Sequence, residues 1–232
     1  MRGPASEAVV AIVNRLVSES ARPAALPRLA LAAGIPESHR VMVVVPCMLT
    51  SAQGTTAQVH RLRLHHLANP ELQAQFALLS DWADADAAQA PGDADRLAEA
   101  QTAIEALNRL YPQPLPPDQP RPAAPRFVLL HRPRRYCPTE ARWLGWERKR
   151  GKLEQLVALL AHPDDADAAG AFIALGETSR TAPGTRYLLT LDSDTQLPPG
   201  RLRDLVGVAM HPANQPRLAE GGRSVASGYA ML

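Results

Sequence analysis

Long apolar runs are absent from this 232-residue chain. No segment reaches the roughly 18 consecutive apolar residues that a membrane-spanning helix needs. Residues 1–16 carry Arg2, Glu7 and Arg15 where a signal peptide needs an unbroken apolar core, so the chain by itself is expected to be soluble. Cysteine is scarce as well. Cys47 and Cys137 are the only two, which argues against a disulfide framework and suits reduced thiols that fill the core. Charge of one sign is also missing: 25 Lys and Arg stand against 23 Asp and Glu. No global field favours a nucleic-acid partner, and any basic chemistry must be local.

Several catalytic signatures are missing too. There is neither a P-loop nor a G-x-G-x-x-G turn. "GGRSVASGYA" lacks the nucleophile elbow because Ser224 follows Gly222 at the wrong interval. Ser80 and Asp81 have no evident histidine partner. His60, His65 and His66 lie close together without carboxylate or cysteine partners at metal-ligand spacing, and read as surface or helix-end residues.

What is present is the composition of a globular protein, 46% hydrophobic and 21% charged. The length admits one large α/β domain or two small ones. "SEAVVAIVNRLVSES" has helical spacing, with Ser6 as its expected N-cap, and a Pro-bearing connector runs from Arg22 to Pro36. Val41 to Val45 is a continuous β-branched run closed by Pro46, the pattern of a strand buried on both faces. A helix is expected from Gln53 to Leu67, a strand from Phe76 to Leu79 ending at Ser80 and Asp81, and a helix from Asp93 to Leu110. Seven prolines between Pro112 and Pro125 impose an extended surface loop. A strand at Phe127–Leu130, a basic helix from Gly145 to Leu160 and a strand at Tyr187–Leu191 follow. Strands alternating with helices predict a doubly wound, mostly parallel α/β sheet flanked by helices. Ligands of such sheets lie at the carboxyl ends of the strands, where Asp81 and the pair Asp192/Asp194 fall.

Two constellations suit chemistry there. In "LDSDT", residues two apart on an extended segment share a side, so Asp192 and Asp194 would face one ligand if the strand persists through Ser193. A hard cation such as Mg²⁺ or Mn²⁺ that also binds a diphosphate needs only one or two protein carboxylates; the plainer alternative is a solvated turn capping the next helix. In "WERKRGKLEQL", Arg148, Lys149, Arg150 and Lys152 crowd around Gly151. A glycine in a helix costs about 1 kcal/mol relative to alanine, and close approach of a phosphate to the backbone is one reason to accept it; a solvated basic face is the other reading. Trp143 and Trp146 suit stacking on a sugar or base, and equally burial under the adjacent helix. The end, "SVASGYAML", is apolar with no helix stop signal, as expected of a polypeptide cut inside an ordered region.

Taken together, "GIPESHRVMVVVPCMLTS", "HHLANPELQAQFALLSDWADA", "ARWLGWERKRGKLEQL" and "RYLLTLDSDTQLPPGRLRDLVGVAMHPAN" resemble the glycosyltransferase domain of cyclic β-1,2-glucan synthases from about Val9 to Leu232. The resemblance implies residues 1–36 as an N-terminal helix and linker and residues 37–232 as a GT-A-like domain, Rossmann-like in its nucleotide-sugar-binding half. It implies an inverting, Mg²⁺- or Mn²⁺-dependent transfer of glucose from UDP-glucose to a growing β-1,2-glucan acceptor. The site would lie on the cytoplasmic face of the inner membrane, held there by the rest of a longer polypeptide. Asp192 would hold the ribose or metal and Asp194 the metal. Asp81 would contact the uracil or ribose, Pro46 would flank the nucleotide, and Lys149, Arg150 and Lys152 would lie near the phosphates. The general base is expected beyond Leu232. A non-catalytic remnant with weak nucleotide binding and a nucleotidyltransferase are the competing expectations.

Overall fold

A computed structural model of the chain describes residues 4–20, 25–114 and 124–232. The elements in chain order are α1 (Pro4–Ser20), β1 (Arg40–Met48), α2 (Ala52–Ala68), β2 (Ala74–Asp81), α3 (Asp93–Leu110) and β3 (Phe127–Arg132). They continue with a hairpin of β4 (Arg135–Cys137) and β5 (Arg142–Leu144), then α4 (Arg148–Ala161), the single turn α5 (Ala166–Ala169), β6 (Thr185–Thr190), α6 (Arg201–Met210), and a second hairpin of β7 (Arg217–Leu218) and β8 (Val225–Ser227). The four expected strands form one parallel sheet in the order β3-β2-β1-β6.

The strands read as continuous apolar runs because both faces of the sheet are covered. Val41, Val43, Val45, Phe76, Leu78, Phe127 and Leu129 point to one side, where α2, α3 and α6 supply Leu62, Ile104 and Leu202. Met42, Val44, Ala77, Leu79, Val128 and Leu130 point to the other, onto Leu156 of α4 and Phe172. Alternate residues of one strand therefore serve two cores, and the sheet is doubly wound as expected.

Pro46 does not close β1. The strand runs on to Met48, pairing with β2 as far as Asp81. The physical reason lies on its other side. Val44 accepts the last bond from the β6 side, from Leu191 N at 2.9 Å, and a residue two further along turns its backbone the same way. Pro46 therefore aims its missing N–H at a side that β6 has left, the kind of position where a sheet tolerates proline.

Other boundaries moved for local reasons. The helix α1 begins at Pro4, which puts Ser6 inside it and not at its cap. In α2, Ser51 caps the start by accepting from Gly54 N at 3.1 Å. The basic helix begins at Arg148 and not at Gly145, because Glu147 adopts a left-handed conformation at φ 48° and breaks the chain direction. Most of the Pro-rich loop lies outside the described residues. Pro27 and Leu29 dock on α6: Leu29 N donates to Gly207 O at 3.0 Å, and Asn214 donates to Pro27 O at 2.8 Å.

Three histidines are buried, His65, His66 and His131, and the last two pack against aromatic rings of the core. His66 is buried edge-on to Phe76, Tyr111 and Phe127, so the expectation of a surface residue is corrected: it sits at the helix end but faces inward. His131 lies fully buried against Trp82. Burial, helped by Arg126, pushes His66 down to about 4, and burial pushes His131 down to about 3. Both are neutral in the folded state at neutral pH. Below about pH 6.5 the unfolded chain takes up protons at these positions that the folded chain refuses, so stability is lost as pH falls. The urea midpoint is expected to drop from pH 7 to pH 5, at up to about 1.4 kcal/mol per pH unit for each histidine. A His131→Asn variant should show a shallower decline.

Candidate functional site

Where β6 departs, the sheet opens. Strand order reverses between β1 and β6, and the carboxyl ends of these two strands diverge around a cleft of about 530 Å³. Pro46, Cys47 and Met48 of β1 line it. So do Asp192, Ser193 and Asp194 after β6, and Arg148, Lys149 and Lys152 of α4.

The strand does not persist through Ser193. Thr195 N donates to Asp192 O at 2.9 Å and closes a turn over Ser193 and Asp194. A turn, and not strand alternation, brings both carboxylates into the cleft lining. Arg61 of α2 reaches across and donates to the carbonyl of Ser193 between them.

The four cations around Gly151 separate into distinct environments. Arg148 pairs with Asp84 at 2.5 Å, Lys149 pairs with Asp192, and both are solvent-accessible. Lys152 is buried; its Nζ donates to Asp81 Oδ1 at 3.0 Å and to Cys47 O at 2.7 Å. Arg150 points elsewhere, bonds Glu154 one turn on at 2.7 Å, and does not line the cleft. The first turn of α4 carries no side-chain cap and no acidic residue. Its free N–H groups and the positive end of the helix dipole add to the field of Arg148 and Lys149.

Asp81 lies beneath this surface and not in it. It is 1% exposed, and its second oxygen accepts from Arg132 at 3.1 Å. A Cβ added to Gly145 would stand 2.6 Å from that same Oδ2, so the Gly145 backbone seals the carboxylate over. Gly151 has a comparable explanation. A Cβ there would meet the Trp146 carbonyl at 2.5 Å, the Trp146 ring at 2.7 Å and Arg132 Nη1 at 3.0 Å. Close packing of helix on loop therefore explains this glycine without a phosphate. Trp146 is half-exposed beside it, Trp143 pairs with Ala85 and packs on Tyr136, and neither ring lines the cleft.

Ser80 does have a histidine partner. Register places it opposite His131 on β3, and Ser80 Oγ lies 2.8 Å from His131 Nδ1. Both are fully buried, and His131 Nε2 has no partner. The pair is part of the core and not an accessible nucleophile. Burial likewise pushes the Cys47 thiol up to about 12, so it is no nucleophile at neutral pH. Among the described residues, no group of three or more His, Cys, Asp or Glu gathers at metal-binding distance. The donors in the cleft are two hard carboxylates, which suits a cation that takes its remaining ligands from water and from a bound anion.

No protein-family model matches the chain. It is 38% identical over 229 residues to the cyclic β-(1,2)-glucan synthase NdvB of Rhizobium meliloti (strain 1021). The chain is homologous to one segment of a cyclic β-(1,2)-glucan synthase. The match takes in 99% of the chain and spans 8% of the length of that synthase. The resemblance seen in the motifs thus extends over nearly every residue, and the parallel sheet flanked by helices fits the GT-A-like, Rossmann-type fold it implied. No described helix is long and apolar enough to cross a membrane.

Sequence inspection missed Arg132, Arg61 and Asp84. Arg132 was legible in principle, because β2 and β3 end in register and put it directly opposite Asp81. Arg61 and Asp84 carry no motif; only the fold brings them to the cleft edge. The buried cluster yields a prediction. Asp81→Asn leaves Lys152 and Arg132 without their counter-charge, and urea unfolding should show a loss of about 3–5 kcal/mol. A loss near that of a surface substitution, about 0.5 kcal/mol, would mean the carboxylate is not buried between them.

Proposed function

We propose that the cleft is the donor site of a β-glucosyltransferase that takes glucose from UDP-glucose and extends a β-1,2-glucan with inversion at the anomeric carbon. One observation carries the reading: at the topological switch point, two carboxylates and the uncapped, cation-bearing start of α4 line one cleft, and Lys149 pairs with Asp192 within it. A nucleoside diphosphate with a divalent cation has that polarity. Its diphosphate suits Lys149, Arg148 and the first-turn N–H groups of α4. Its cation, Mg²⁺ or Mn²⁺, suits Asp194, with Asp192 between the cation and the ribose. The homology to a glucan synthase supports glucose and glucan as the transferred group and the acceptor.

When bound, the cation would neutralise charge on the departing diphosphate. The chain's own residues do the rest. The turn from Asp192 to Thr195, tied by Arg61, holds both carboxylates at one end of the donor. Lys149 and Arg148, which line the same cleft, draw the leaving diphosphate toward the start of α4. Pro46 in the lining offers an apolar flank to the nucleotide. Asp81 would bear on the nucleotide indirectly, through Lys152 and the seat of α4, since both of its oxygens are taken. Arg150 has no part in the donor contact. Both cleft carboxylates face the donor, so the base that deprotonates the acceptor hydroxyl lies outside this cleft. Attachment to the cytoplasmic face of a membrane would come from the rest of a longer polypeptide.

The reading predicts UDP binding that depends on Mn²⁺ or Mg²⁺ in titration calorimetry. Asp194→Ala should weaken binding of UDP in the presence of the cation by about tenfold or more, the scale of losing a metal-supporting group. Equal affinity in the variant and the parent would remove Asp194 from the site.

A further inference from the structure

The contact between Lys149 and Asp192 crosses the cleft, from the first turn of α4 to the exit of β6. It joins the residue best placed for the diphosphate to a residue best placed for the cation. Each side chain is half-exposed, at 55% and 60%. Asp194, two residues on, has no cation of its own among the ion pairs of the described residues. Arg61 holds the same turn through the Ser193 carbonyl, so the turn keeps a second tie if Lys149 lets go.

We infer that Lys149 is an exchanging counter-cation: it pairs with Asp192 in the protein alone, and nucleotide binding transfers it to the diphosphate and releases Asp192 to the metal. This inference rests on the donor-cleft reading and adds a regulatory consequence to it. Without nucleotide, a divalent cation must compete with an ammonium group already bound to one of its two carboxylates. With nucleotide, the diphosphate takes the ammonium away and offers its own oxygens. Metal and nucleotide are therefore coupled through one lysine as well as through direct contact. By linkage, each strengthens the other by the same factor.

Because Lys149 competes with the cation for Asp192 and attracts the diphosphate, one substitution should move two affinities in opposite directions. In Lys149→Met, Mn²⁺ alone should bind more tightly by about two- to fivefold, the worth of an exposed ion pair. UDP alone should bind more weakly by at least the same factor. The factor by which UDP enhances Mn²⁺ binding should shrink accordingly. Raising the salt concentration should narrow the difference between parent and variant for Mn²⁺ alone, since the contact is solvent-exposed. Both species lie on the surface, so thermal unfolding of the variant should match the parent and serve as the folding control.

Titration calorimetry of parent and Lys149→Met with Mn²⁺, with UDP, and with each in the presence of the other decides the matter. Opposite shifts support the exchange. Unchanged or weaker Mn²⁺ binding in the variant, with UDP binding intact in the parent, overturns the exchange and leaves the donor-cleft reading standing. Absence of any Mn²⁺-dependent UDP binding in the parent overturns the donor-cleft reading itself, and the exchange with it.

Discussion

The carboxylate of Asp81 at the end of β2 is shared by Lys152 from α4 and Arg132 from β3, and Lys152 reaches on to the Cys47 carbonyl of β1. Four elements meet at one buried anion. Removing charges from water is costly, so such a cluster depends on good geometry and on its partners; both oxygens of Asp81 are bonded, though Arg132 Nε is buried without a partner, and Gly145 and Gly151 allow the backbone to close around the cluster. What it fixes is the seat of α4. Arg148 and Lys149 of its first turn line the cleft, and Lys152 one turn on ties the helix to Asp81 and the Cys47 carbonyl.

The carboxylate part of the lining is set by what β6 fails to do. It pairs with β1 as far as Val44, then turns away at Asp192. The gap leaves Pro46 without a neighbour to bond and gives Asp192 and Asp194 open space in front of them. A proline in β1, a turn after β6 and a pinned α4 are three local facts with one outcome, a cleft lined by carboxylates from the exit of β6 and by cations from α4. The functional proposal depends on that polarity more than on any single residue.

Much of this was visible in the residues themselves. The β-branched run at Val41–Val45, the run at Phe76–Leu79 and the alternating order of strands and helices carry the sheet, because a strand buried on both faces has no polar alternation to confuse it. Asp192 and Asp194 stood out because carboxylates directly after such a run must emerge at the sheet's edge. The failures share a cause: they concern pairings across the fold. That Ser80 meets His131, and that Asp81 meets Arg132, depends on the register of β2 against β3, which becomes readable only once the two strands are aligned with each other and not from spacing along either one. The hairpin of β4 and β5 has strands of three residues each, too short for a periodic signal. An approach for phosphate was one of two readings of Gly151, yet its neighbours are Arg132 of β3 and Trp146, which precedes the left-handed residue Glu147, and no composition announces either.

The central claim is that one cleft, between β1 and β6, binds a nucleoside diphosphate and a divalent cation in a fixed orientation. An anomalous difference map from crystals grown with UDP and Mn²⁺ tests it most directly. The account predicts a manganese peak against Asp194 and Asp192, with the diphosphate between that peak and the first turn of α4. Manganese or nucleotide bound elsewhere, or a diphosphate turned away from Lys149, would contradict it.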